Sequence, residues 1–323
     1  MIEYRYKLEK YKGRGTRYKC PQCGKGNEFS RYIDTVTGEH LADHVGRCNR
    51  EEKCGYHLAP KDYLDEVPSN GRSQNSNPKV FIGDTKKNIR RRDAAPSTIP
   101  SELLIGTLRN YESNNLIRFL MSCGLWDAKE IEKVTSQYLL GTHESNAAIF
   151  WQISQHLEIR SGKIMAYDPH TGHRRKDHPP YFIHSRMTRE GILPKNFEFR
   201  MCFFGEHLLH KNPFKSVAIV ESEKTAVIAS LHSNLGREFV WLASGARGNL
   251  SLESLTRIGQ GRRVILYPDA DSFNEWSQKA SLARDAGLDV AVSELVERHA
   301  NDGEKAEGRD LADFLLEASK SAT

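Results

Sequence analysis

KSVAIVESEKTA, residues 215–226, joins a short apolar run directly to a stretch with helix-forming residues. The same change of pattern recurs three times, in EFVWLASG before LESLTRIG, RVILYPDAD before NEWSQKASLARDAG, and LDVAVSEL before DLADFLLEAS. Strands that alternate with helices need right-handed crossovers, and such crossovers join parallel strands. The sequence therefore predicts an α/β domain with a parallel four-stranded sheet over residues 215–323.

Carboxylates stand at the ends of two of these predicted strands. Glu221 ends the first run, and Asp269 and Asp271 follow the third. Because parallel sheets bind ligands beyond the carboxyl ends of their strands, we expect these side chains at one edge. Clustered carboxylates with no basic neighbour repel one another, and a hard, oxygen-preferring cation relieves the repulsion. The pattern favours a catalytic Mg²⁺ or Mn²⁺ site, although acids at strand ends also serve as helix caps.

Six cysteines are present in the chain, and four of them lie close together near the N-terminus: Cys20, Cys23, Cys48 and Cys54. Two cysteine pairs supply the four thiolates that tetrahedral Zn²⁺ requires, and a full set of protein ligands indicates a structural site. The segments FSRYIDT and HLADHVGRC between the pairs meet at a Thr-Gly turn, which is typical of a hairpin. Residues 1–66 are therefore predicted to form a zinc ribbon. The second pair is unusually spaced, so His57, and less favourably His44, are alternatives to one cysteine.

Positive charge is concentrated in the first hundred residues. Residues 1–31 hold nine Lys and Arg against three Glu, and residues 71–100 hold seven against two Asp, while the whole chain carries only +5. This distribution favours a polyanionic partner such as single-stranded DNA, although a solvated surface has the same composition. Residues 67–100, rich in Ser, Asn, Pro and Arg without a hydrophobic period, are predicted to be a flexible basic linker.

Residues 101–214 are predicted to form a lobe that is helical at first and then rich in β-strands. AAIFWQI and HLEIRSGKIMAYD carry the strand pattern, and the basic residues that follow them are candidates for holding a template or a triphosphate: Lys163, Arg174, Arg175 and Lys176. No window approaches the 18 apolar residues of a membrane span, and the N-terminus lacks the apolar stretch of a signal peptide. The expected location is the cytoplasm, with no membrane partner.

Four segments resemble, in order, the motifs of the Toprim domain that bacterial-type primases, topoisomerases and some nucleases share: VAIVESEKTA, WLASGARGNLSLESL, VILYPDADSFNEWSQKA and DLADFLL. Upstream, the cysteine-rich ribbon, QYLLGTH, the strand pair and FFGEHLL follow the segment order of bacterial-type DNA primases. The resemblance covers most of the chain. The chain is also similar to uncharacterised Toprim proteins that bacterial mobile elements carry.

The resemblance implies a role for each acid. Glu221 corresponds to the acid/base or metal-linked glutamate, and Asp269 and Asp271 to the metal-binding aspartates. Asp310, or alternatively Asp313, corresponds to the further acid that primase-like members place downstream.

Three other residues are candidates for contact with nucleotide phosphate. Lys224 lies one helical turn past Glu221, although a lysine at a helix start is more often simply solvated. Gly245 belongs to the glycine-rich turn SGARGN on the same sheet edge. This turn is a candidate to approach the nucleotide phosphate, with Arg247 in the turn assisting by its positive charge.

The resemblance implies a primase-like nucleotidyltransferase that condenses nucleoside triphosphates into short primers on single-stranded DNA. Two alternatives keep the same residues: a Toprim nuclease that cleaves phosphodiesters, and a non-catalytic zinc-ribbon DNA-binding accessory of replication. The ribbon departs from the Cys-His-Cys-Cys spacing of primases. No G-x-x-x-x-G-K-[ST] motif occurs, so strand unwinding would need a separate replicative helicase as a partner.

Overall fold

The computed structural model describes residues 5–50, 54–60, 63 and 95–321. The chain divides into two compact units, Met1–Gly83 and Asp84–Thr323. Most of the predicted linker, residues 67–94, lies outside the described residues. Its last six residues belong to the larger unit, because Ser97 N donates to Glu198 O at 2.9 Å and Ile99 N donates to Ile159 O at 2.8 Å.

The N-terminal unit contains a small antiparallel sheet in the order β1-β2-β3. Its strands are β1 (Tyr6–Leu8), β2 (Phe29–Asp34) and β3 (Gly46–Cys48). The predicted hairpin is the β2 and β3 pair, in which Phe29 lies opposite Cys48. The buried apolar cluster of the described part of this unit consists of Phe29, Cys20 and Cys48. So small a core contributes little folding free energy, which makes a metal crosslink the expected source of stability.

The larger unit begins with three helices: α1 (Ser101–Ile105), α2 (Asn115–Ser122) and α3 (Ala128–Gln137). Side chains at the helix starts accept hydrogen bonds from free backbone N–H groups. Asn114 Oδ1 accepts from the backbone N–H groups of Leu116 and Ile117, and Asp127 forms a capping box with Glu130. Asn114 therefore caps α2 and Asp127 caps α3.

An antiparallel sheet in the order β4-β5-β6-β7 follows these helices. Its strands are β4 (Gly141–Thr142), β5 (Ala148–Ile153), β6 (Ile159–Met165) and β7 (Tyr181–Phe182), and α4 (Ile183–Arg189) comes next. Every residue of β5 and β6 is buried. Both faces of the sheet are covered, since Phe150 packs in one apolar cluster and Trp151 in another.

The predicted four-stranded parallel sheet is confirmed, in the order β11-β10-β8-β9. Its strands are β8 (Val217–Val220), β9 (Val240–Ala243), β10 (Val264–Leu266) and β11 (Val290–Val292). The accompanying helices are α5 (Glu223–Leu231), α6 (Leu235–Glu238), α7 (Leu252–Gly259), α8 (Phe273–Asp285), α9 (Leu295–His299), α10 (Asp302–Glu307) and α11 (Leu311–Ser321). Among the described residues, no helix has the length and apolar character needed to span a bilayer.

The strand order creates a switch point between β8 and β10. The chain leaves β8 toward β9 on one side, while β10 pairs with the other side of β8, with Ile219 opposite Leu266. Ligands of open parallel sheets bind outside the carboxyl ends of the strands at such a point. Glu221 follows β8 and Asp269 follows β10, so the sheet delivers both carboxylates to this edge.

Candidate functional site

Four cysteine side chains converge in the N-terminal unit. The Sγ atoms of Cys20, Cys23, Cys48 and Cys54 all lie within 4.8 Å of one another. The Cys20 and Cys54 Sγ atoms are 3.7 Å apart, and those of Cys23 and Cys48 are 4.0 Å apart. A tetrahedron with Zn–S bonds of ~2.3 Å has edges of ~3.8 Å, so these distances fit one zinc ion. The cluster supports a structural zinc site.

The two histidines that the sequence offers as alternative zinc ligands contact tyrosines instead. His57 Nε2 lies 2.9 Å from the hydroxyl of Tyr32, and the two rings stack. His44 packs edge-on against Tyr63. The ligand set within the described residues therefore consists of cysteines alone.

Replacing Cys20 and Cys23 with Ser should remove one zinc ion per chain and unfold the N-terminal unit while the larger unit stays folded. The reason is that the folding free energy of so small a unit comes mainly from metal binding. Elemental analysis and a two-step thermal melt measure the two effects. Cys123→Ser, outside the cluster, is the control and should retain the metal. Parent protein that carries no zinc when prepared without chelator contradicts the assignment.

A cavity of about 530 Å³ lies in the larger unit, lined by β6 of the antiparallel sheet and by the segments that follow strands β8, β9 and β10 of the parallel sheet. Eight of the residues predicted from the sequence line it: Lys163, Arg174, Lys176, Glu221, Lys224, Gly245, Asp269 and Asp310. Lys163 and Tyr167 reach it from the antiparallel sheet and the segment that follows. The remaining predicted acid, Asp271, is exposed and does not line the cavity.

The carboxylates of this cavity are electrostatically crowded. Burial, and then the charges of Asp310, Glu221 and Asp271, raise the pKa of Asp269 to about 9. Burial also raises the pKa of Glu221, whose Oε2 atom has no hydrogen-bond partner among the described residues. A divalent cation with a preference for oxygen ligands relieves both effects, so the donor set fits Mg²⁺ or Mn²⁺.

The expectation that these carboxylates have no basic neighbour is wrong. The Arg247 guanidinium forms an ion pair with Asp271, and its Nε atom lies 4.0 Å from Glu221 Oε2. The turn that carries Arg247 begins at Gly245, whose φ of 78° favours glycine. Within the described part of the chain, the four cysteines form a group of three or more possible metal ligands, whereas the carboxylates of the cavity form no such group. Arg247 therefore neutralises part of the negative carboxylate charge that the sequence analysis expected a metal ion alone to neutralise.

Asp310 is held by hydrogen bonds from three directions. Its Oδ2 atom accepts from Thr225 Oγ1 at 2.5 Å, and its Oδ1 atom accepts from Asp313 N at 3.1 Å. In return, Asp310 N donates to Asp313 Oδ2 at 3.0 Å, which is the reciprocal pattern of a capping box at the start of α11. Asp310 thus caps a helix, and its charge acts on Asp269 across the cavity.

Lys163 forms a buried link between the two sheets. Its Nζ atom lies 3.0 Å from Glu223 Oε1 and 3.1 Å from Oε2, and only the second contact has hydrogen-bond geometry. Nζ also donates to the carbonyl oxygen of Gly245 at 2.8 Å. Because these contacts engage the ammonium, Lys163 positions the Gly245 turn and is poorly placed for the phosphate role that the sequence suggested.

The other cationic side chains near the cavity differ in how far they are free to contact a phosphate group. Lys224 Nζ donates to Gly172 O at 3.4 Å, a weak contact. Arg174 and Lys176 line the cavity with exposed side chains. Arg175 pairs instead with Asp177. Arg174, Lys176 and Lys224 are therefore the candidates for phosphate contact.

Glu223 and Tyr167 are among the residues of the cavity that sequence reasoning missed. Glu223 had a weak signal, since a glutamate in the first turn of an otherwise buried helix needs a partner. Tyr167 had none, because a tyrosine that ends an apolar strand reads as an ordinary core residue.

Comparisons with known proteins match different parts of the chain. Residues 114–270 match a family described as a domain of unknown function (DUF6371), and residues 4–69 match a zinc beta-ribbon finger family. The second match coincides with the cysteine cluster and supports a structural zinc. No curated protein matches the chain.

Several solved structures are similar at low identity. The primase fragment of the bacteriophage T7 primase-helicase protein is 12% identical, with 94% of this chain and 95% of that one covered and a TM-score of 0.41. The DnaG catalytic core is 11% identical, with 68% and 81% covered and a TM-score of 0.43. The zinc-binding and RNA polymerase domains of the Aquifex aeolicus primase are 12% identical, with 98% and 78% covered and a TM-score of 0.38.

Proposed function

We propose that this chain is a primase-like nucleotidyltransferase that makes short primers on single-stranded DNA, with Glu221, Asp269 and Asp271 as the ligands of Mg²⁺ or Mn²⁺. The observation that carries the proposal is the crowding of buried carboxylates at the switch point of a parallel sheet, on a cavity with exposed cations. Paired with the resemblance to Toprim motifs, this arrangement favours phosphoryl transfer over a purely structural role.

The charges of the side chains that line the cavity suggest a role for each of them. When bound, the divalent cation would activate the attacking hydroxyl and neutralise charge on the reacting phosphorus. Arg174, Lys176 and Lys224 supply positive charge for the triphosphate. Lys163 holds the Gly245 turn, and with it Arg247, beside the carboxylates.

We assign the template contact to the N-terminal unit. Its described surface pairs cations with aromatic rings: Arg31 lies over Tyr18 at 3.8 Å, and Arg17 lies over Tyr11 at 5.2 Å. Tyr11 is 66% exposed. An exposed ring beside an arginine, as at Tyr11, suits the stacking of unpaired bases and the neutralisation of their phosphates. A separate replicative helicase would supply the unwound template.

Incubating the pure protein with single-stranded DNA, labelled nucleoside triphosphates and Mg²⁺ or Mn²⁺ tests the proposal by the size of the products. A primase should yield labelled products longer than one nucleotide that require both DNA and metal. Shortened DNA without incorporation of label indicates a nuclease. DNA binding without any product indicates an accessory protein, and either result overturns the proposal.

A further inference from the structure

The carboxylate edge of the parallel sheet carries a cation of its own. The Arg247 guanidinium forms an ion pair with Asp271 Oδ2, and its Nε atom lies 4.0 Å from Glu221 Oε2. Asp271 and Glu221 are two of the three carboxylates that the proposed function takes as metal ligands. A single guanidinium thus contacts one proposed ligand and approaches a second.

Both carboxylate oxygens of Asp271 have donors. Oδ2 is the partner of Arg247 Nη2, and Oδ1 accepts a hydrogen bond from Ser272 Oγ at 3.0 Å. The hydroxyl is neutral, and a carboxylate has enough lone pairs to accept from a hydroxyl and to bind a metal at once. The guanidinium differs, because its positive charge repels a divalent cation on the same carboxylate. Sharing Asp271 between Arg247 and a metal therefore costs electrostatic free energy.

The ion pair between Arg247 and Asp271 is accessible to water. The two side chains are 37% and 44% exposed. Ion pairs with this much exposure contribute little net free energy, because water and salt screen them. A cation that carries two charges and prefers oxygen ligands can therefore replace the guanidinium on this carboxylate.

The backbone of the turn that carries Arg247 is fixed from two sides. Lys163 Nζ, from the antiparallel sheet, donates to the carbonyl oxygen of Gly245 at 2.8 Å. Lys279 Nζ, from α8, donates to the carbonyl oxygen of Arg247 at 3.1 Å. The backbone thus keeps Arg247 beside the carboxylates, while its long, partly exposed side chain can turn away from Asp271 without moving the turn.

We propose that Arg247 and the divalent cation compete for Asp271, so that the cation binds fully only when the guanidinium leaves this carboxylate. Arg247 thereby regulates how tightly the site holds its metal. This inference rests on the proposed function, since it takes Glu221, Asp269 and Asp271 as the ligands of Mg²⁺ or Mn²⁺. Because the turn is anchored, the competitor stays beside the site and is available at all times.

Binding of Mn²⁺ to the full chain, measured from the electron paramagnetic resonance signal of unbound Mn²⁺, tests the inference without any turnover. Arg247→Met should bind Mn²⁺ about tenfold more tightly than the parent, because it removes both the competitor and a nearby positive charge. Arg247→Lys keeps a charge but loses the planar fork, so its affinity should lie between the two. Arg298→Met, the same substitution at an exposed ion pair outside the cavity, is the control and should leave the affinity unchanged.

A double-mutant cycle separates competition at Asp271 from charge repulsion across space. If the guanidinium acts by occupying this carboxylate, Arg247→Met should tighten Mn²⁺ binding by no more than about twofold once Asp271→Asn is present. A full tenfold gain in the Asp271→Asn background shows that Arg247 acts by its charge alone and overturns the inference.

Thermal melts give a second readout and check that the variants fold. In EDTA, Arg247→Met should melt below the parent, because Asp271 and Glu221 lose their cation. In saturating Mn²⁺ the difference should vanish or reverse, since the tighter complex gains more stability from the metal. A variant that melts below the parent by the same amount in both conditions contradicts competition.

The outcomes distinguish this inference from the proposed function. Primer synthesis by a parent whose Mn²⁺ affinity is unchanged or weakened in Arg247→Met overturns the competition alone. Tighter Mn²⁺ binding by Arg247→Met, in a protein that makes no primers, supports the competition and overturns the primase activity alone. If neither the parent nor Arg247→Met binds Mn²⁺, the inference is wrong.

Discussion

Glu221→Gln and Asp269→Asn are each expected to reduce primer synthesis by about 100-fold or more, because either change removes a charged oxygen ligand from the metal site. Both substitutions keep the size and shape of the side chain. The loss should therefore appear in the rate of product formation with Mg²⁺ or Mn²⁺ and not in the folded fraction. Asp271→Asn should behave in the same way, although it also releases Arg247.

Asp269→Asn should also change how stability depends on pH. The folded-state pKa of Asp269, about 9, lies far above the unfolded value of about 4. A raised pKa contributes stability that is fully present below about pH 4 and is lost as the pH rises toward about 9. In EDTA, the parent should lose more melting temperature between about pH 5 and 8 than Asp269→Asn does.

Asp285→Asn provides the control for these measurements, since Asp285 is exposed at the end of α8. It should retain primer synthesis and the pH profile of the parent. If Glu221→Gln and Asp269→Asn keep full metal-dependent turnover, the assignment of the active site is wrong. A parent whose stability in EDTA is flat over this pH range contradicts the crowding of charge at Asp269.

Lys163→Met is expected to lower the free energy of unfolding by about 3–5 kcal/mol. The Glu223 side chain is only 1% exposed, and the substitution leaves its charge buried without a cation. The carbonyl of Gly245 loses its donor at the same time. Urea denaturation of the full chain, followed by circular dichroism, measures the change.

A double substitution separates the stabilising role of Lys163 from its positioning role. Lys163→Met with Glu223→Leu removes both buried charges, and apolar replacements of buried ion pairs are often close to neutral. Its stability should approach that of the parent. Primer synthesis in both the single and the double variant should be lower than in the parent, because the Gly245 turn that carries Arg247 is no longer held by the ammonium. Full activity in the double variant contradicts the positioning role.

The exposed ion pair of Arg298 and Glu294 is the control for the loss of stability expected in Lys163→Met. Their side chains are 73% and 50% exposed, so Arg298→Met should change stability by no more than about 1 kcal/mol. A Lys163→Met variant with an equally small effect shows that water reaches the Lys163 and Glu223 pair.

The sequence by itself determined the features that follow from patterns of neighbouring residues along the chain. Alternation of apolar runs with helical stretches predicted the parallel sheet, since burial on both faces produces continuous apolar strands. The cysteine spacing predicted the zinc cluster. The position of Glu221 after β8 and of Asp269 after β10 placed two acids on one sheet edge, because parallel strands end at the same side.

Only the tertiary structure decided what surrounds those acids. Lys163 and Glu223 are 60 positions apart, and Thr225 and Asp310 are 85 apart. No periodic pattern links such pairs, so the sequence made Lys163 a candidate for template or triphosphate contact, and the resemblance made Asp310 the further catalytic acid. The same limit applies to the ion pair of Arg247 with Asp271, although the sequence placed the turn of Arg247 on this sheet edge, and to the unpartnered hydroxyl of Tyr167. Burial and charge at a site are set by residues that meet through the fold, and local patterns record only which face of each element is apolar.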